Sequence, residues 1–145
     1  MTRSIFADAQ AKPHLFLWNK SIETQRLLDW ANQHGWIIPF DLLDIWSQTG
    51  GGDIFESETL LRPVVDDRDD ESVEHRTRWY RARGLPAGMF VFHEGMGVSA
   101  IRRERPGYVW FDMQERLAAS YGSFDEWYVQ LIRLEYAERY GLSAI

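Results

Sequence analysis

Two glycine-rich segments are the places where residue types and spacing could bind a cofactor. The segment from Gly95 to Ala100 reads Gly-x-Gly-x-x-Ala directly after an apolar run, which matches a dinucleotide-binding turn. Such a turn requires a helix to begin there with its N-terminus on the pyrophosphate, and Pro106 arrives too soon for a helix of useful length. A second segment, Gly50 to Gly52, lacks the Gly-Lys-Ser/Thr of a phosphate-binding loop. We therefore interpret both segments as turns and expect no cofactor.

His93 and Glu94 could begin a zinc-binding motif, but no second histidine follows at the spacing that such a helix needs. The sequence contains no cysteine, which excludes thiolate metal ligands and thiol nucleophiles. No Gly-x-Ser-x-Gly motif marks a nucleophilic serine. We expect neither catalytic nor metal-binding residues, and we interpret the histidines as surface or edge residues: His14, His34, His75 and His93.

A pair of carboxylates keeps an enzymatic alternative open. Glu56 and Glu58 lie two residues apart in a predicted strand, so their side chains would face the same side. A pair like this can raise the pKa of one carboxyl and support acid–base chemistry, although a solvated strand face is the commoner reason for it. A small enzyme that uses Glu56, Glu58 or His93 would need a buried pocket that gathers two of them.

The charge of the chain bears on its partner. The net charge is −6, which disfavours a nucleic-acid binder, because such proteins gain affinity mainly by neutralising phosphates. It favours a basic partner, although an acidic surface also keeps proteins soluble. Arg102, Arg103 and Arg105 form a small basic patch in a predicted turn, and we interpret them as solvent-exposed.

The elements that position these residues follow from capping and periodicity. Ser21, Pro39, Ser72 and Ser123 begin predicted helices, and Gly35, Gly50 and Gly141 end three of them. Alternating or continuous apolar runs predict strands at Ile54 to Leu61, Met89 to Phe92, Val98 to Ile101 and Tyr108 to Phe111. The short turns between the last three strands permit only antiparallel neighbours, which predicts a three-stranded meander.

These elements predict a single α+β domain, mainly an antiparallel sheet with the meander, flanked by N-terminal helices and a long C-terminal helix. The first twenty residues have no sustained period, so residues 1–20 are expected to form a loose arm, with one short strand at Leu15 to Trp18, and residues 21–145 the domain. Hydrophobic residues make up 45% of the chain, which is enough for a core. The sequence has no apolar run that resembles an export signal or a membrane span, so we expect a cytoplasmic protein without a membrane partner.

The order of landmarks resembles the SUKH superfamily of fungal cell-wall-assembly regulators and bacterial immunity proteins. A helix ending in Trp46 to Gly52 is followed by a strand and an acidic stretch, then by an apolar strand with a glycine turn, Phe90 to Gly97. A strand at Tyr108 to Asp112 and a Ser-Phe-acid-acid-Trp helix start within Ser120 to Leu131 complete the pattern. The resemblance covers roughly residues 37–140. It departs from the family at Thr49, where asparagine is common.

This resemblance implies a non-enzymatic immunity protein that binds and neutralises a cognate toxin, such as a nuclease or a nucleotide-modifying enzyme. A regulatory scaffold of the same family is the alternative. An acidic ligand suits a toxin with a basic face, because complementary fields accelerate encounter. The predicted partner-binding residues are Asp53, Glu56, Glu58, Asp66, Asp67, Asp69, Asp70, Glu71 and Glu74.

Overall fold

The computed structural model describes residues 3–64 and 70–144, and these residues form a mixed α+β fold, as the sequence predicts. The helices in these ranges are α1 (Arg3–Ala11), α2 (Thr24–His34), α3 (Phe40–Thr49), α4 (Val73–Arg81) and a C-terminal helix. The C-terminal helix begins as α5 (Phe124–Trp127), continues through a π-helical segment (Tyr128–Arg133) and ends as α6 (Leu134–Tyr140).

The strands of the described residues form one antiparallel sheet in which each strand pairs with the next along the chain. They are β1 (Phe16–Trp18), β2 (Gly52–Ile54), β3 (Glu58–Leu60), β4 (Phe90–Glu94), β5 (Val98–Ile101), β6 (Tyr108–Phe111) and β7 (Leu117–Tyr121). The predicted meander corresponds to β4, β5 and β6 and is confirmed. Strand β7 was not predicted, because its Leu-Ala-Ala-Ser-Tyr sequence has no β-branched residue and contains two alanines, which are depleted in strands.

The centre of the sheet is covered on both faces, as the continuous apolar run of β4 predicts. Val91 and Phe92, adjacent in this strand, are both fully buried. Side chains that alternate along a strand point to opposite faces, so both faces of the sheet are covered here. The C-terminal helix covers the face of Phe92, whose ring centroid lies 4.9 Å from that of Trp127. Helix α4 packs against β4, where Thr77 Oγ1 accepts a hydrogen bond from the Val91 main-chain amide over 2.9 Å.

The expectation of a loose arm is wrong for the described part of residues 1–20. Helix α1 packs on the C-terminal helix, and Asp8 forms a buried ion pair with Arg133 over 2.7 Å. Tyr128 also donates a hydrogen bond to Asp8, over 2.7 Å. The segment has only a weak apolar period of its own, so its position depends on partners more than a hundred residues away along the chain.

The single strand predicted from Ile54 to Leu61 is also wrong, because it is a hairpin. Phe55 and Glu56 have positive φ angles of 52° and 68° and turn the chain between β2 and β3. Phe55 is nevertheless fully buried, and its ring stacks on Tyr136 at 5.1 Å. Burial of this aromatic ring offsets a backbone conformation that non-glycine residues adopt at a cost.

Local signals place most helix ends correctly. The side chains of Ser72 and Ser123 accept hydrogen bonds from the amides of His75 and Glu126, as N-caps do. Gly35, Gly50 and Gly141 end their helices in the left-handed conformation. The start predicted at Ser21 is wrong, because α2 begins two to three residues later, with Glu23 at the cap position and no side-chain cap bond.

Candidate functional site

Three polar side chains from neighbouring strands meet inside the fold. Glu58 begins β3, His93 lies near the end of β4 and Ser99 lies in β5. His93 contacts both of the others, with Nε2 2.7 Å from Oε1 of Glu58 and Nδ1 2.8 Å from Oγ of Ser99. Trp127 of the C-terminal helix donates its indole N–H to Ser99 Oγ over 2.8 Å. We call these four residues and Tyr136, which also contacts Glu58, the buried network.

A β-bulge directs His93 into this network. The register of β4 against β5 shifts between Val91 and His93, so that one residue of β4 has no direct partner. A bulge re-aims the side chains that follow it. The rings of Phe92 and His93, adjacent in sequence, therefore both contact Trp127, with centroids 4.9 and 5.1 Å away.

The hydrogen bonds define one consistent arrangement of protons. The Trp127 indole is only a donor, so Ser99 Oγ accepts from it and donates its own proton to Nδ1 of His93. The Nε2–H of His93 then donates to Glu58.

The carboxylate of Glu58 is satisfied from several sides. Tyr136 donates to Oε2 over 2.5 Å, and the Met96 amide donates to Oε1 over 3.1 Å. Burial by itself raises the pKa of Glu58, but the hydrogen bonds that the carboxylate accepts from His93, Tyr136 and the Met96 amide outweigh burial, and the pKa lies below its ordinary value. Burial and the bond to this carboxylate raise the pKa of Tyr136 to about 12.

A serine, a histidine and a carboxylate in one hydrogen-bonded row can activate a serine nucleophile. Here the order of contacts is the same, but the exposed fraction is 0% for Ser99 and His93 and 1% for Glu58. A substrate therefore cannot reach the serine in this conformation. The network instead ties β3, β4 and β5 to the C-terminal helix, since a buried polar group is stable only when it is hydrogen-bonded.

Two predictions about these residues are wrong. His93 is a core residue and not a surface or edge residue. Glu58 is buried and does not share an exposed strand face with Glu56, which lies in the turn between β2 and β3. Glu58 is consequently closed to a partner protein. No local signal in the sequence marks this contact, since it depends on strand pairing.

The other predicted partner residues have different environments. Glu56, Asp70 and Glu71 are exposed, and the Asp70 side chain reaches 90% exposure. Glu74 is largely covered, because it accepts from the Trp30 indole over 2.6 Å and lies 3.2 Å from His34. Three predicted positions lie outside the described residues: Asp66, Asp67 and Asp69.

The structure brings Asp53 and Glu71 to one small groove of about 30 Å³ on the sheet surface. Asp53 lies in the middle of β2, opposite Leu17 of β1 and Thr59 of β3. Leu17 is 66% exposed, and Thr59 donates its hydroxyl to Asp53 over 3.2 Å. Arg62 also lines the groove, 3.9 Å from Glu71. We call Leu17, Asp53, Thr59, Arg62 and Glu71 the acidic groove, in which two carboxylates outnumber one guanidinium. Its apolar member, Leu17, was not predicted as a partner residue.

The described residues form neither a metal-binding cluster nor a membrane-spanning helix. Within residues 3–64 and 70–144, no group of three or more His, Asp or Glu side chains could hold a metal ion. None of the helices in these ranges has the length and apolar character needed to cross a bilayer. The glycine pattern from Gly95 leads into β5 and not into a helix, as its interpretation as a hairpin turn predicts.

No protein-family model and no curated protein matches the sequence. The resemblance to the SUKH superfamily is therefore still a prediction from the sequence landmarks.

Proposed function

We propose that this protein is a cytoplasmic immunity protein that binds a toxin with a basic face and neutralises it. The observation that carries the proposal is the acidic groove, in which Asp53 and Glu71 flank a hollow beside the exposed Leu17. An exposed apolar side chain next to carboxylates suits a partner that offers an apolar contact and a lysine or arginine. A hollow of about 30 Å³ has room for the tip of one side chain and not for a small-molecule substrate.

The charge distribution supports the same proposal. The chain has a net charge of −6, and Glu56 and Asp70 add exposed carboxylates to the two in the acidic groove. A nuclease or nucleotide-modifying toxin must present cationic groups to phosphates, and these groups would attract an acidic ligand. Such attraction raises the association rate and depends on salt concentration.

Burial of the Glu58–His93–Ser99 row favours binding over catalysis as the function. A catalytic carboxylate or histidine has to come within hydrogen-bond reach of the atom that it acts on. The three side chains use their hydrogen bonds on one another and on Trp127 and Tyr136. A protein that only binds a partner does not need its buried side chains to reach a substrate atom.

The test is co-expression with the product of the adjacent toxin reading frame, followed by measurement of binding and of cell survival. We expect the chain to bind this product and to rescue the cells. The double variant Asp53→Lys/Glu71→Lys should weaken binding at least tenfold, because two attractive contacts become repulsive.

The matched control is Glu135→Lys/Glu138→Lys, which makes the same change in net charge on the exposed side of α6. It should slow association only slightly, by a long-range effect that salt screens. If both variants lost the same amount of binding affinity, the affinity would depend on net charge and not on the acidic groove. No binding and no rescue would refute the immunity function.

A further inference from the structure

A second surface lies at the end of the sheet where β4 begins. Phe90, Ile101, Tyr108 and Tyr121 are successive cross-strand partners at this end of β4, β5, β6 and β7. The loops beyond them line an open cleft of about 590 Å³. This volume is in the range of small-molecule sites and is far larger than the acidic groove.

The cleft is cationic although the protein as a whole is acidic. Arg102, Arg103 and Arg105 all line it, and none of its lining residues is Asp or Glu. Glu104, between them in sequence, lines a separate hollow on the far side of Arg102 and Arg103. The interpretation of these arginines as solvent-exposed is correct for Arg103 and Arg105. It does not predict the cleft, because another wall comes from residues near position 37.

Two of the arginines are held in place and still have free donors. Arg102 Nε donates to the carbonyl of Pro106 over 2.8 Å, and Arg103 Nη2 donates to the carbonyl of Gly35 over 2.8 Å. A guanidinium has five N–H donors, so each keeps most of them for a ligand. Arg105 has no hydrogen bond or ion pair with any residue in the ranges 3–64 and 70–144. Because these two side chains are already held in place, they lose less conformational entropy when a ligand binds.

The rest of the lining is apolar. The floor is formed by the nearly buried Phe90, Ile101 and Tyr108, and one wall includes Ile37, which is 69% exposed. The Tyr108 hydroxyl donates to Asp41 and is thereby engaged within the fold. A ligand would therefore meet guanidinium groups on one side and carbon surface below.

We propose that this cleft binds an organic phosphate, with the phosphate on the arginines and a ring or apolar portion over the floor. A guanidinium can donate two parallel hydrogen bonds to two oxygens of one phosphate. Three arginines also carry more positive charge than the single negative charge of a carboxylate ligand can balance. A cleft of this volume with an apolar floor suits a small molecule more than an extended acidic peptide. This site is separate from the acidic groove and does not depend on the immunity function.

The test is isothermal titration calorimetry of the full chain with ADP, pyrophosphate, adenosine and a hexaglutamate peptide at constant ionic strength. We expect ADP to bind more tightly than pyrophosphate, which lacks the ring, and than adenosine, which lacks the phosphates. Arg105→Gln should weaken ADP binding about tenfold or more, because it removes a charged donor that makes no hydrogen bond or ion pair within the described residues. Arg116→Gln, the same change at an exposed position outside the cleft, should leave the affinity unchanged.

Four outcomes would overturn the proposal. The first is that ADP does not bind at millimolar concentration, and the second is that Arg105→Gln binds ADP as tightly as the unaltered chain does. Pyrophosphate that binds as tightly as ADP would show that the apolar floor contributes nothing. Hexaglutamate that binds more tightly than ADP would assign the cleft to an acidic protein segment instead.

Discussion

Nε2 of His93 lies 2.7 Å from Oε1 of Glu58, although 35 positions separate the two residues in the sequence. Strand pairing brings them together, because Leu60 is the direct cross-strand partner of His93 and Glu58 lies two residues earlier on β3. Gly95 leaves room for the carboxylate, since a Cβ atom there would lie 2.2 Å from its Oε1. The contact joins two residues that, taken singly, resemble a surface carboxylate and an edge histidine.

Replacing Glu58 with glutamine should destabilise the fold by about 3 kcal/mol at pH 7, because the amide cannot accept all the donors that converge on the carboxylate. The pKa of Glu58 is lowered in the folded state, so its stabilisation is complete above its unfolded value near 4.5. It is lost as the pH falls through the folded pKa.

The difference in unfolding free energy between the unaltered chain and Glu58→Gln should therefore narrow as the pH falls below about 4.5. Urea denaturation at a series of pH values measures it. The control Glu138→Gln, on the exposed side of α6, should give a small difference throughout. A Glu58→Gln difference that is constant down to the acid transition would contradict the inferred role of the carboxylate.

Gly95→Ala tests the space around the same carboxylate. The added methyl group would overlap both oxygens and the carboxyl carbon of Glu58, so it has to displace the side chain from Met96 and His93. We expect the free energy of unfolding to fall by about 2 kcal/mol, which is typical of an overpacked core. Thermal or urea denaturation measures it. The control is Gly122→Ala, whose Cβ would make only ordinary contact with Glu126, 3.5 Å away.

If Gly95→Ala is as stable as Gly122→Ala, the carboxylate does not lie against Gly95 in solution. A crystal structure of the variant would then show where Glu58 lies. Loss of stability with an unchanged Glu58 position would also contradict the proposed displacement.

Ser99→Ala removes the acceptor of the Trp127 indole and the donor to His93 together. The Trp127 indole and the His93 imidazole each lose a hydrogen-bond partner, so we expect the free energy of unfolding to fall by about 2 kcal/mol. The indole N–H resonance of Trp127 should shift and exchange faster with solvent in nitrogen-15 NMR spectra. Ser120→Ala, on the exposed strand β7, should change neither the stability nor the Trp127 resonance. An unaltered Trp127 resonance in Ser99→Ala would show that the hydroxyl is not its acceptor.

Asp8→Ala tests how α1 is held. The change leaves Arg133 buried without its carboxylate partner, so the free energy of unfolding should fall by about 3 kcal/mol. The backbone amides of α1 should also exchange faster with solvent. Hydrogen exchange with mass spectrometry reports on α1 directly. The double variant Asp8→Leu/Arg133→Met replaces the pair with apolar groups and should recover much of the stability. If Asp8→Ala leaves exchange in α1 unchanged, the ion pair does not hold this helix.

By itself, the sequence determined the features that depend on a few neighbouring residues. Ser72 and Ser123 cap helices because a hydroxyl reaches an amide three residues ahead, and Gly50 ends α3 because glycine adopts the left-handed conformation at low cost. The meander of β4, β5 and β6 follows from short apolar runs with turns too short for any other pairing. These signals also determined the α+β class.

Only the tertiary structure decided which of these residues meet. The burial of Glu58, the bulge that aims His93 at Trp127, and the docking of α1 through Asp8 each depend on a partner far away in sequence. The arginine-lined cleft likewise has walls from separate loops. Long-range contacts form when chain segments pack together, and a periodicity or cap, which extends over one or two turns, carries no information about the partner across the core.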